Sequence, residues 1–110
     1  MLEFELYKLE IFVPESHFEA VRQALADADA GHIGRYDQCL SVSRTEGFWR
    51  PLDGARPYRG RPGELCRAQE LKIEVCCRAG QLAETLRLVK RAHPYEEPVI
   101  NVLPLCGTGL

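Results

Sequence analysis

The chain has 110 residues, 45% of them hydrophobic and 27% charged, with a formal net charge of −2. That is one domain's length with enough apolar content for a real core. The mild negative charge excludes a general electrostatic binder of nucleic acid, and no apolar run approaches the ~20 residues that cross a bilayer as a helix. Met1-Leu2-Glu3-Phe4-Glu5 is acidic and lacks the basic-then-apolar order of a secretion signal, so the expected address is cytoplasmic. Five cysteines, Cys39, Cys66, Cys76, Cys77 and Cys106, are odd in number and lack a C-x-x-C pair, which points to reduced thiols.

Tyr7 to Val13 alternates and carries β-branched and aromatic residues, the pattern of a strand. Ser16 then opens a helix and Glu19 completes a capping box, with Phe18, Val21, Leu25 and Ala28 recurring at helical spacing. A turn at Gly31 to Gly34 leads to a second strand pattern, Tyr36 to Ser43. The link from about 46 to 66 is rich in glycine and proline and too long for a plain hairpin turn. Leu71 to Cys77 reads as a third strand in which Cys76 and Cys77 point to opposite faces. Gly80 opens a second helix with Leu82, Leu86 and Val89 on one face, and Val99 to Leu103 closes the series as a strand.

The chain repeats itself. Lys72 and Glu74 echo Lys8 and Glu10 at an offset of 64 residues, and the helices follow at the same offset. The order β-α-β-β-α-β predicts a single α+β domain over residues 1–110, a ferredoxin-like four-stranded antiparallel sheet with both helices on one face. A less regular α+β domain is the alternative. Strands 2 and 4 are then the edges. Both are largely neutral, which invites pairing with another chain and closed cyclic assembly.

This topology gathers three connections at one end of the sheet: Pro14 to His17, the long link, and His93-Pro94-Tyr95-Glu96-Glu97-Pro98. Each proline pushes the residue before it out of helical conformation, so His93 and Glu97 lie on a short, stiff connection. A histidine with two carboxylates suits a metal ion, a proton transfer or a cationic ligand. The same pattern fits a stiff connector whose charges face water. Zinc or copper accepts imidazole with carboxylate, but residues four apart in an extended segment are about 13 Å apart. A shared ion therefore requires a turn near Tyr95 and Glu96, or ligands from His17 or a second subunit. His32, in the opposite turn, is outside this group. In the long link Arg50, Arg56, Arg59 and Arg61 crowd around Trp49 and Tyr58, a composition that holds phosphates or stacked bases, or packs on a neighbouring subunit.

Several stretches together match one family pattern: Phe12-Val13-Pro14 followed by His17; Ala30-Gly31-His32-Ile33-Gly34-Arg35-Tyr36 followed by Cys39; Gly47-Phe48-Trp49-Arg50-Pro51; Gly54-Ala55-Arg56-Pro57 with Gly60; and His93 to Pro98. Over nearly its whole length the chain resembles the domain inserted within many Nif-three-like proteins, which also occurs as a short free-standing protein. That domain is similar in fold to PII signalling proteins and to the divalent-cation tolerance protein CutA, whose own His-Pro-Tyr-Glu motif the last stretch resembles. The resemblance implies a PII/CutA-like fold, a homotrimer, and a metal or small-ligand role near His93 and Glu97. The dinuclear metal centre of full-length Nif-three-like proteins lies in histidine-rich flanking regions and does not transfer. Asp29, His32 and Thr45 depart from the family pattern.

The resulting expectation is a non-enzymatic cytoplasmic trimer that binds a divalent metal ion, zinc or copper, or a small ligand. Its metal ligands are His17, His93 and Glu97, with Glu96 as substitute or supporting acceptor. The alternative is a signalling module whose loop holds a nucleotide or protein partner through Arg50, Arg56 and Arg59. A third option is an enzyme, a metal-assisted hydrolase, with His93 as general acid or base.

Overall fold

A computed structural model describes residues 4–109 of the chain. Strands β1 (Leu6–Val13), β2 (Ser41–Trp49), β3 (Cys66–Arg78) and β4 (Ile100–Pro104) form one antiparallel sheet in the order β2-β3-β1-β4. Helices α1 (Phe18–Asp27) and α2 (Leu82–Ala92) cross the two halves. This is the predicted βαββαβ arrangement.

The internal repeat carries into three dimensions. A short 3₁₀ turn precedes each helix, Glu15–His17 before α1 and Ala79–Gln81 before α2. Glu10 pairs directly with Glu74 across β1 and β3, a like-charge contact that would cost stability by itself. Lys8 reaches Glu74 and Lys72 reaches Glu10, so the two diagonals neutralise the pair. The repeat thus explains the register as well as the topology.

Period-two alternation sorts the strands into two faces. Leu9, Ile11, Val13, Leu71, Ile73, Val75 and Cys77 are buried beneath Val21 and Leu25 of α1 and Val89 of α2. Lys8, Glu10, Lys72, Glu74 and half-buried Cys76 occupy the other face. Burial pushes the Cys77 thiol up, so it stays protonated and inert. The described cysteines are all free.

Three local expectations are corrected. The capping box does not form. Pro14, extended at φ −66°, starts a turn that already contains Ser16. The Ser16 hydroxyl shares a hydrogen bond with His17 Nδ1, and Glu19 pairs with Arg22 instead. The second strand begins at Ser41 rather than Tyr36, because Gln38 is left-handed at φ 57° and breaks the run. Tyr36 makes only an isolated bridge to Ile33. Finally, β2 continues to Trp49 and β3 starts at Cys66, so the link is shorter than predicted. Cys66 to Glu70 pair with β2 alone and form an arm that projects past β1. The arm explains a radius of gyration of 15.0 Å, against about 13 Å for a compact chain of this length.

Candidate functional site

The predicted convergence holds. Pro98 leads through Val99 into β4, and His93 caps the C-terminus of α2 in extended conformation, φ −82° and ψ 136°, as Pro94 demands. The chain then bends over Tyr95 to Glu97. His93 is buried, 7% exposed. Its Nε2–H donates to the Phe12 carbonyl at 2.6 Å, and its Nδ1 accepts the Tyr95 backbone N–H at 3.2 Å. A carbonyl only accepts, so this geometry defines the neutral Nε2–H tautomer. Burial lowers the His93 pKa, and the charge of nearby His17 adds to the lowering; the Phe12 hydrogen bond and Glu70 oppose it.

Tyr95 is the hub. Its ring lies 4.8 Å from that of His93, 5.9 Å from Tyr58 and 6.3 Å from Trp49. His17 stands edge-on to Tyr58 at 5.5 Å. The Tyr95 hydroxyl donates to Glu70 at 2.8 Å. Burial first, then Glu70, raises the phenol well above its ordinary value, so Tyr95 stays a donor. Glu70 gains its room from Gly47, where a Cβ would collide with a Glu70 carboxylate oxygen. The long loop is pinned at two points. Trp49 Nε1–H donates to the Arg59 carbonyl at 3.2 Å, and the Arg56 backbone N–H donates to Glu96 at 2.9 Å.

Between this loop and the His93–Pro98 connection lies a cleft of about 820 Å³. Arg50, Arg59, Glu96 and Glu97 line it, as do Trp49, Tyr58, Tyr95, Glu70 and Asp53. Arg56 meets the connection through its backbone, and its side chain is not part of the lining. His17 and His93 stand behind the aromatic wall rather than in the lining. Among the described residues no group of three His, Cys, Asp or Glu side chains is placed to hold a metal ion. His93 has committed both ring nitrogens within the chain.

Glu70 and the central position of Tyr95 were missed in the sequence. Glu70 sits in the middle of a strand with nothing adjacent to mark it; Gly47, two positions along the partner strand, was the only signal. His32 lies apart, as expected from its turn. Its two ring nitrogens face the Asp29 carboxylate at 3.0 Å and the Gly34 carbonyl at 3.0 Å. The Asp29 hydrogen bond, with the Gly34 carbonyl, raises its pKa.

The sheet order, the paired helices and the end-of-sheet cleft define the CutA/PII-like class of α+β fold. The periplasmic divalent cation tolerance protein CutA of Archaeoglobus fulgidus superposes with a TM-score of 0.69 at 20% identity, covering 94% of this chain and 86% of that one. CutA1 of Shewanella sp. SIB1 does so at 0.72 and 17%, covering 97% and 87%. No family model matches the sequence. The GTP cyclohydrolase 1 type 2 homolog of Halalkalibacterium halodurans is 42% identical over 104 residues, and that of Bacillus subtilis 38% over 100. These matches cover 94% and 91% of this chain but 28% and 27% of the relatives. A Bacillus cereus protein related to NIF3 superposes with a TM-score of 0.83 at 37% identity, covering 97% of this chain and 27% of that one. The chain is thus similar to one part of these proteins and spans little more than a quarter of their length.

Proposed function

We propose that the chain is a small-ligand-binding module that assembles as a homotrimer and carries out no reaction itself. The cleft is the observation that carries this reading. It has the volume of a small-molecule site, and its wall is held by hydrogen bonds from three separate segments. The chemistry inside is that of binding. His93 is buried, bonded to a backbone carbonyl and away from the lining, so it is unsuited to proton transfer with a ligand. A thermal-shift panel of small organic cations, nucleotides and divalent metals at pH 7.5 tests the reading. A saturable rise in Tm is expected for one class, lost in Trp49→Ala; a flat response across the panel contradicts it.

Assembly is supported by the exposed edge strands and by apolar residues on and beside the arm. Phe48, Leu52 and Leu65 are 60%, 64% and 72% exposed, and Val102 and Leu103 on edge strand β4 are 38% exposed. Burying such a surface against a second and third copy closes the edges without fibres. Sedimentation equilibrium at micromolar concentration should give a trimer; a strict monomer would remove this part of the proposal. The free cysteines support a reducing, cytoplasmic address.

A second reading, a divalent ion held by His17, Glu96 and Glu97 with ligands from a neighbouring copy, is favoured by the carboxylates around the cleft. In it His93 positions the connection instead of binding the ion, unless the ion displaces the Tyr95 N–H from Nδ1.

A further inference from the structure

We propose, on the basis of the ligand-binding reading of the cleft, that its ligand is a compact organic cation: an ammonium or guanidinium group on a short carbon body. Charge balance is the first observation. Four carboxylates, Asp53, Glu70, Glu96 and Glu97, face two guanidinium groups, Arg50 and Arg59. None of the four takes part in an ion pair among the described residues. Glu70 accepts from the neutral Tyr95 hydroxyl and Glu96 from a neutral backbone N–H, so neither bond brings a cation to the carboxylate. The sequence pattern of arginines among aromatics suited phosphates or stacked bases, or packing on a neighbouring subunit. The folded cleft disfavours phosphates, because Arg56 turns only its backbone to the connection while the acidic residues Glu70, Glu96 and Glu97 come from two other segments.

The aromatic wall is the second observation, and it separates an organic cation from a bare metal ion. Trp49, Tyr58 and Tyr95 line the cleft as one cluster of mutually tilted rings. Rings attract a cation placed over the face within about 6 Å of the centroid. One guanidinium already uses this surface: Arg59 lies over the Tyr58 ring at 5.9 Å. A nucleotide phosphate would meet an excess of carboxylates. A small hard metal ion would gain nothing from the rings and prefers a compact cage of oxygens. An alkylammonium or guanidinium compound uses both features at once, carboxylate for the charge and ring face for the body.

Trp49 is the sole tryptophan of the chain, so its emission reports on the cleft directly. The experiment titrates the protein with arginine methyl ester and with tetramethylammonium, beside ATP, inorganic phosphate and zinc chloride, at pH 7.5 in physiological salt. A saturable emission change with at least one of the cations, at a Kd below about 1 mM, is expected. Glu97→Gln should weaken that binding three- to tenfold. Glu97 is exposed and forms none of the pins of the loop, so the same variant should keep the wild-type Tm. Saturation by ATP or phosphate alone, or by zinc alone, overturns the cation assignment while leaving the cleft a binding site. Equal cation affinity in Glu97→Gln also overturns it. No response to any of the probes removes the ligand-binding reading as well.

Discussion

His93→Ala is expected to lower stability by roughly 3 kcal/mol, since it strands the Phe12 carbonyl and the Tyr95 N–H and leaves a small buried void. For a domain of this size that is a fall in Tm on the order of 10–15 °C, measurable by calorimetry at fixed protein concentration. A fall of under 2 °C would show that the bridge is unimportant. The effect should depend on pH. The His93 pKa is lowered on folding, chiefly by burial, so the unfolded chain binds more protons below about pH 6.5. Its contribution is complete above that pH and declines as pH falls through 6.5 towards the folded value. His32 works in the opposite sense: its pKa is raised, so its contribution is complete below about 6.5 and is lost as pH rises through the folded value. Between pH 7.5 and 5, His93→Gln should therefore lose less Tm than wild type.

Gly31→Ala is expected to be at least as damaging, costing about 3 kcal/mol or more. Gly31 has a φ of 78°, and a Cβ there would collide with the Cys39 carbonyl oxygen and lie 2.9 Å from the Cys39 nitrogen. Both obstacles are backbone. The same glycine ties the end of α1 to β3 through Gly31 N–H to the Cys76 carbonyl at 2.7 Å, and its carbonyl accepts the Cys39 N–H at 2.9 Å. Nothing can shift without moving the entry to β2. Gly34→Ala is the control. Its φ is 57°, but no atom lies within 4 Å of the position an added methyl would take, so only the left-handed strain of about 1 kcal/mol is expected. Chemical denaturation of both variants checks the pair; equal losses would mean that the close approach to Cys39 is not what matters.

The fold was legible because two independent signals agreed. Alternation in Tyr7–Val13 and Leu71–Cys77 identified the central strands, and the repeated Lys-x-Glu at a constant offset related them. Topology then brought His17 and the His93–Pro98 connection to one end. Strand β2 was misplaced because Gln38 adopts φ 57° without a glycine to announce it, and because Arg44 to Trp49 gain strand structure only by pairing with β3. The cleft's chemistry was harder to read. Glu70 enters it through a contact between β3 and the Pro-bounded connection, far apart in sequence. Nor did the sequence mark the bond from the Arg56 backbone N–H to Glu96, because the two lie 40 residues apart. His93 was singled out as a metal ligand, but a polar side chain's partners cannot be inferred from its neighbours in sequence when one of them is the Phe12 carbonyl.

The decisive measurement is a long-range proton–nitrogen correlation spectrum of the imidazoles, recorded with and without one equivalent of zinc at pH 7.5. His93 should appear as the pure Nε2–H tautomer, with nitrogen shifts that zinc leaves unchanged, while any response to the metal is confined to His17 or His32. A bare Nε2, or a His93 nitrogen resonance displaced by zinc, would contradict the account, because the residue that anchors the wall of the cleft would then be a metal ligand.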